Sequence, residues 1–274
     1  MGNATHIIIV SHNSANVLPT CLAYLEKQTR EITSCTIVDS GSRDLTYLNG
    51  LSHYRYPVAI KYIDNNGFSY ANNTGYKSLN LSSDDLVVFI NPDTFLFSSW
   101  LEDASCFFEN YKNCGVLTGK LLGYDITMQK ATGRIDSTGI YRKWYGKWFD
   151  RGQGEQDKGQ FERTCEVPAV CGALMACRAS CLKELGDTVF DEDFFLYKED
   201  IELSLRIRRC GWKLYYQPSL LAYHCRGWDD KRNLVDYRLR LMSAKNEVKL
   251  YCKHRSFYMA WALAKYLLVR AFRV

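Results

Sequence analysis

The chain contains no apolar run long enough to cross a bilayer. Its most apolar stretch, Phe257 to Leu268, is short and is interrupted by Lys265. The N-terminus shows no charged region followed by a long apolar stretch, so no signal peptide is expected. No low-complexity segment and no repeat of about 20–50 residues stands out, which argues against a repeat architecture. No two of the 11 cysteines are spaced C-x-x-C, so neither a zinc ribbon nor a thioredoxin site is indicated. Cys35, Cys106 and Cys177 stand in apolar surroundings, as the buried reduced thiols of a cytosolic protein do.

What is present is an ordinary globular composition, 47% hydrophobic and 24% charged over 274 residues. That length allows one large α/β domain, or one domain with an appendage, and a sizeable core. The net charge of +5 is unevenly placed. Arg226 to Val274 holds 12 Lys and Arg against 4 Asp and Glu, or +8, which leaves −3 on the preceding residues. A basic tail on a slightly acidic body suits an anionic lipid or polymer; a solvated helical face explains it equally well.

The first third alternates apolar runs with helical spacing. His6–Val10 reads as a buried strand, and Ser14–Gln28 as a helix through Val17, Leu18, Leu22 and Leu25. Cys35–Val38 and Ile60–Ile63 read as strands, Phe68–Leu79 as a helix and Leu86–Ile90 as a fourth strand. This rhythm implies an α/β fold with a mostly parallel central sheet flanked by helices. Gly119–Gly159, rich in Gly, Asp, Lys and aromatics, reads as long loops and short strands over the sheet edge. Order returns at Val167–Ala179. Asp200–Cys210 reads as a helix stopped by Gly211, and Trp212–Tyr216 as a strand. Leu234–Val274 reads as helical throughout, either lying in a membrane interface or packing on the sheet.

Polar clusters follow the strands. Ser11-His12-Asn13-Ser14 follows the first, Asp39-Ser40-Gly41-Ser42 the second, Asn65-Asn66-Gly67 the third and Asn91-Pro92-Asp93 the fourth. Singly, each reads as a turn or helix cap. At the carboxyl ends of consecutive parallel strands they build one crevice, where open α/β sheets bind ligands, and its acceptors and helix N-termini suit a nucleotide and its phosphates. Asp93 there suits a hard divalent cation carrying a diphosphate.

The order VSHNS, IVDSGS, NNGFSYANNTG, INPD, CGALMACRAS and FDEDFFLYKEDIELSLRIRRCGW resembles the family 2 glycosyltransferases of the GT-A fold, over roughly residues 5–228. The segments DSTGIYRKWYGKWFDRGQGEQDKGQF and FDEDFFLY are similar to that family's rhamnosyltransferase-like branch. The resemblance implies a GT-A domain over 1–228, with a nucleotide-binding half (1–95) and an acceptor and catalytic half (96–228), and a basic helical extension over 229–274. Ser11, Asn13, Asp39, Ser40, Asn66, Gly67, Asn91 and Asp93 would bind the nucleotide-sugar. Asn91 stands where many members carry an acid, which leaves Asp93 as the charged metal ligand. His224 is a second candidate ligand, or a structural histidine, and Mg²⁺ or Mn²⁺ the expected cofactor. Glu199 and Asp200 match the second acidic motif, with Asp200 as general base; the alternative is a helix N-cap. Cys171, Gly172 and Trp228 would border donor sugar and acceptor, and Arg151 would touch diphosphate or acceptor.

The implied activity is inverting transfer of a sugar, rhamnose in this branch, from a dTDP- or UDP-linked donor to a glycan or polyprenyl-linked acceptor. It would take place in the cytoplasm, at the inner face of the membrane with the C-terminal helix as peripheral contact, and with no nucleic acid partner. A non-catalytic nucleotide-sugar or glycan binding module of the same fold is the alternative. A sugar-nucleotide synthesising enzyme would need a Gly-rich, Arg-bearing phosphate loop near the N-terminus. A dinucleotide oxidoreductase would need G-x-G-x-x-G after the first strand. The chain has neither.

Overall fold

A computed structural model describes residues 3–225 and 236–273. The first third holds β1 (Thr5–Ser11), α1 (Leu18–Glu26), β2 (Ser34–Ser40), β3 (Val58–Ile63), α2 (Phe68–Tyr76) and β4 (Leu86–Ile90). Next come β5 (Thr94–Leu96), α3 (Trp100–Asn110), β6 (Cys114–Asp125), β7 (Lys130–Ser137), β8 (Ile140–Arg142), β9 (Trp148–Asp150), β10 (Cys165–Glu166) and β11 (Leu174–Arg178). The chain continues with α4 (Ala179–Lys183), α5 (Glu199–Arg209), β12 (Lys213–His224), α6 (Tyr237–Lys253) and α7 (Met259–Phe272).

The main sheet runs β10-β12-β6-β11-β4-β1-β2-β3, with β5 on β12 and β7 on β6. β12, β6, β4, β1, β2 and β3 point the same way, and β11 runs antiparallel between β6 and β4. The expected mostly parallel sheet flanked by helices is therefore present. β1 shows why it is buried on both faces. Ile7 and Ile9 enter one core with Leu22 of α1 and Phe108 of α3, while Ile8 enters the other with Met175 of β11 and Leu203 of α5.

Several elements differ from the sequence expectation. Residues 119–159, expected as long loops with short strands, hold longer paired strands as well, because β7 folds back on an extended β6. Register shifts flanking Leu122 break the period-two alternation that would mark these strands in the sequence. β12 runs on past Tyr216 to His224, because a register shift between Gln217 and Leu221 takes Pro218 out of the ladder. α1 starts at Leu18, with Pro19 in its first turn, after a turn in which the Ser14 carbonyl accepts from the amides of Val17 and Leu18. The C-terminal segment is two helices, broken between His254 and Tyr258, not one. Cys35 and Cys177 are buried as expected, but Cys106 is exposed on α3.

Candidate active site

A cleft of about 630 Å³ opens at the carboxyl ends of β1, β2 and β4. Asn13, Ser40, Gly67, Asn91, Asp93, Cys171, Gly172, Glu199, Asp200 and His224 all line it. Ser11, Asp39 and Asn66 do not. Asp39 stands behind the wall, where its carboxylate accepts from the Ser42 amide (2.9 Å), the Ser42 hydroxyl (2.5 Å) and the Tyr47 hydroxyl (3.1 Å). Ser11 shares Tyr47 at 2.6 Å. These two residues shape the loop after β2, and that loop is tied to the loop after β1. Asn13, in the left-handed region at φ +53°, donates its amide to Ser42 Oγ and accepts from the Arg43 amide through Oδ1. His12 lines the cleft as well. Its Nδ1–H donates to the Ser40 carbonyl at 2.7 Å, so Nε2 accepts from Asn13 Nδ2. Trp228 lies outside the described residues. Arg151 is occupied elsewhere, held by Thr138 and the Tyr141 hydroxyl and stacked on the Tyr141, Phe161 and Tyr216 rings.

The fold brings Asp93 and His224 together. Asn91 to Thr94 form a turn closed by the Thr94 amide on the Asn91 carbonyl, and β5 starts at once. β5 pairs with the end of β12 so that Thr94 faces His224. His224 Nε2 then lies 3.5 Å from Asp93 Oδ1, while Nδ1–H donates to Asp136 Oδ2 at 2.7 Å. Asp136 comes from β7, in the segment expected to be loop, and is fully buried. Burial alone would lower the His224 pKa, but the two carboxylates outweigh it and raise it to about 10. Burial would raise Asp93, and the His224 charge outweighs that and holds it below the usual carboxylate range.

This is the carboxylate–histidine arrangement that orients an imidazole for a cation. The protein would give one oxygen and, once an incoming cation displaces the Nε2 proton, one nitrogen, because only the neutral ring has a lone pair to share. Among the described residues no group of three or more His, Cys, Asp and Glu side chains is placed to hold a metal ion. Two protein donors facing an open cleft fit an ion that takes its other ligands from diphosphate and water, as Mg²⁺ and Mn²⁺ do, and the nitrogen favours Mn²⁺.

Asp200 lines the same cleft from the start of α5. It is not the N-cap: Lys198 holds that position, and Asp200 sits one residue inside the first turn. Its Oδ2 accepts from the Gly172 amide at 3.1 Å and its Oδ1 from the Ile201 amide at 2.8 Å. A Cβ on Gly172 would stand 3.2 Å from the Asp200 Cβ, so a larger residue would crowd the carboxylate. Burial raises the Asp200 pKa, and the Gly172 amide and Lys198 oppose the rise. Glu199 beside it is pushed up to about 8, first by burial and then by the Asp200 charge. Glu199 Oε2 is buried without a hydrogen-bond partner among the described residues. Both carboxyls are thus held above their usual range, and Asp200, which accepts from two backbone amides, is the better stabilised of the two as an anion.

The backbone ahead of this pair is strained and braced. Tyr197 and Lys198 both lie in the left-handed region, at φ +72° and +75°. Asn246 of α6 donates through Nδ2 to the carbonyls of Leu196 (2.8 Å) and Tyr197 (3.0 Å). On the other side the Phe68 amide donates to the Phe195 carbonyl. Gly67, at φ +96°, permits that approach, since a Cβ there would lie 2.6 Å from the same oxygen. Buried Asn73 holds the Phe190 backbone through both amide atoms, and Ser69 donates to the Phe194 carbonyl. The polar residues of α2 therefore fasten the segment leading to Asp200. Asp136 and Asn246 had no signal in the sequence beyond residue type, because each acts through a partner distant in the chain, whereas His12 belongs to the polar cluster after β1.

A sheet of this order with this cleft defines the GT-A class of fold. Residues 6–186 match the family described as Glycosyl transferase family 2, and the chain belongs to that family. No curated protein sequence matches it. Among solved structures it is similar to GalNAc-T7 with UDP, GalNAc and Mn²⁺ (TM-score 0.67, 16% identity, 90% of this chain and 48% of that one). It is also similar to S. aureus TarS 1–349 in complex with UDP-GlcNAc (0.59, 17%, 96% and 72%). A third is the mannosyltransferase PcManGT from Pyrobaculum calidifontis in complex with GDP-Man and Mn²⁺ (0.61, 16%, 99% and 71%). The chain spans about half the length of the GalNAc-T7 chain.

Proposed function

We propose that this chain is an inverting glycosyltransferase that takes a sugar from a nucleoside-diphosphate sugar. The observation that carries the reading is the placement of two unlike carboxylate centres in one cleft. Asp93 with His224 forms one centre, and Asp200, held by the Gly172 amide, forms the other. Asp200 accepts the proton of the acceptor hydroxyl. The hydroxyl oxygen bonds to the anomeric carbon as the bond from that carbon to the diphosphate oxygen breaks, in one displacement with inversion. A divalent cation held by Asp93 and His224 would neutralise charge on the departing nucleoside diphosphate. Glu199 keeps a proton, which leaves the negative charge on Asp200. Asn13, Ser40 and Gly67 line the part of the cleft that takes the nucleotide, and Cys171 and Gly172 border the sugar and acceptor. On this reading 1–95 binds the donor, 96–228 supplies acceptor and base, and 229–274 braces the base.

A divalent metal and a nucleotide-sugar donor are supported by relatives of this fold solved with UDP or GDP-Man and Mn²⁺. The motifs shared with the rhamnosyltransferase-like branch make a dTDP-linked rhamnose the first donor to test, with UDP-linked sugars next. A glycan on a polyprenyl carrier is the acceptor class we favour, reached at the inner face of a membrane.

A thermal-shift screen of nucleoside-diphosphate sugars with Mg²⁺ and Mn²⁺ tests the reading. The true donor raises the melting temperature most, by about 2.7 kcal/mol of added stability at a concentration 100 times its Kd, and chelation of the metal weakens that shift. No shift with any nucleoside-diphosphate sugar would contradict it.

A further inference from the structure

Helix α7 is built inside out for a protein in water. It buries only Ala262 and Val269. Leu263, Leu267, Leu268 and Phe272, with alanines between them, form an exposed face, and Leu267 and Phe272 are 60% and 70% exposed. An amphipathic helix on a globular protein turns such a face inward. The one charge within the apolar stretch does not interrupt the face, because Lys265 pairs with the buried Glu247 of α6. The patch continues beyond the helix. Phe257, just ahead of α7, is 100% exposed. Trp144, at the turn between β8 and β9, is 86% exposed, and its neighbour Tyr145 packs edge-on against Trp261 of α7, with ring centroids 4.7 Å apart.

Cations frame this surface. Arg255 precedes α7, Arg270 and Arg273 stand at its end, and Lys143 and Lys147 flank Trp144. From Arg255 to Arg273, and from Arg142 to Lys147, there is no Asp or Glu. None of these five cations has an ion pair among the described residues. An apolar protein partner would need no such frame. Exposed leucine, phenylalanine and tryptophan bordered by Arg and Lys that lack carboxylate partners match the interface of a bilayer with anionic headgroups. No helix among the described residues is long and apolar enough to cross a membrane, so the contact is one of lying on the surface.

We propose that the outer face of α7 and the β8–β9 turn dock this protein on an anionic lipid bilayer. The proposal is independent of the chemistry assigned to Asp200. Flotation of the full chain with phosphatidylcholine vesicles, with and without phosphatidylglycerol, tests it. The expected result is binding to the anionic vesicles that falls about tenfold or more in Leu263→Glu/Leu267→Glu, whose melting temperature is unchanged because both side chains are exposed. Arg270→Gln/Arg273→Gln should also bind more weakly, and added salt should weaken the wild type. A wild-type chain that stays in the buffer with both vesicles would overturn the proposal, as would a leucine variant that floats like the wild type. A dimer that the leucine variant splits, with no vesicle binding, would assign the face to a second copy instead.

Discussion

Glu199 and Asp200 occupy one buried corner of the cleft, where burial and their mutual repulsion disfavour two negative charges. An unfolded glutamate ionises near 4.5, whereas the folded Glu199 keeps its proton up to about 8. The folded pKa is the higher one. Its contribution to stability is therefore complete below the unfolded value and is lost as pH rises through the folded one. Glu199→Gln removes that dependence. The melting temperature of the wild type minus that of the variant should fall from pH 4.5 to pH 8 and then level off; a difference that stays constant would show that Glu199 ionises normally. Asp136 acts at the same scale, through the His224 ring. Asp136→Asn should weaken Mn²⁺ binding about 10–100-fold by calorimetry, as loss of an outer-shell carboxylate commonly does. Undiminished affinity would leave His224 without its orienting role. Asn91 offers an amide rather than a second carboxylate beside Asp93, and the charged group that faces Asp93 is His224, from the far end of β12.

At the scale of elements, α6 is part of the active-site scaffold. Asn246 holds the two carbonyls ahead of the left-handed pair Tyr197-Lys198, and Lys253 adds ion pairs to Asp191 and Asp193 on the same segment. Asn246→Ala should lower kcat about tenfold or more while leaving the donor KM nearly unchanged, since misplacement of a reacting group by a fraction of an ångström is costly. A variant in which donor KM rises and kcat does not would place Asn246 in donor binding instead. The elements of the first third were legible in the sequence because β1, β2 and β4 are short buried runs with clear stops. β6, β7 and the end of β12 were not. Bulges interrupt their alternation, and Pro218 resembles a strand end while the ladder passes around it. The break between α6 and α7 was equally hidden, since no proline or glycine marks it.

At the scale of the molecule, the polar strand ends do converge on one cleft, with Asp39 and Ser11 serving it from behind. Asp93, Glu199 and Asp200 could be placed in the cleft in advance because strand ends and the acidic motif are local features, and His224 only through the family resemblance. That Asp93 meets His224 follows from the pairing of β5 with β12, a contact across more than a hundred residues that no local pattern reports. The tail illustrates the same limit. Its charge and aromatics suggested either packing or a membrane, and the two helices differ: α6 packs beside the segment that leads to Asp200, and α7 carries the exposed apolar face on which the membrane proposal rests.

The most direct measurement is sugar transfer by Asp200→Asn, paired with calorimetry of nucleoside-diphosphate binding, using whichever donor shifts the melting temperature most. Loss of the base should slow transfer by about 10²–10⁴-fold and leave nucleotide affinity unchanged, because the substitution leaves Asp93 and His224 intact. Transfer at the wild-type rate in Asp200→Asn would contradict the assignment.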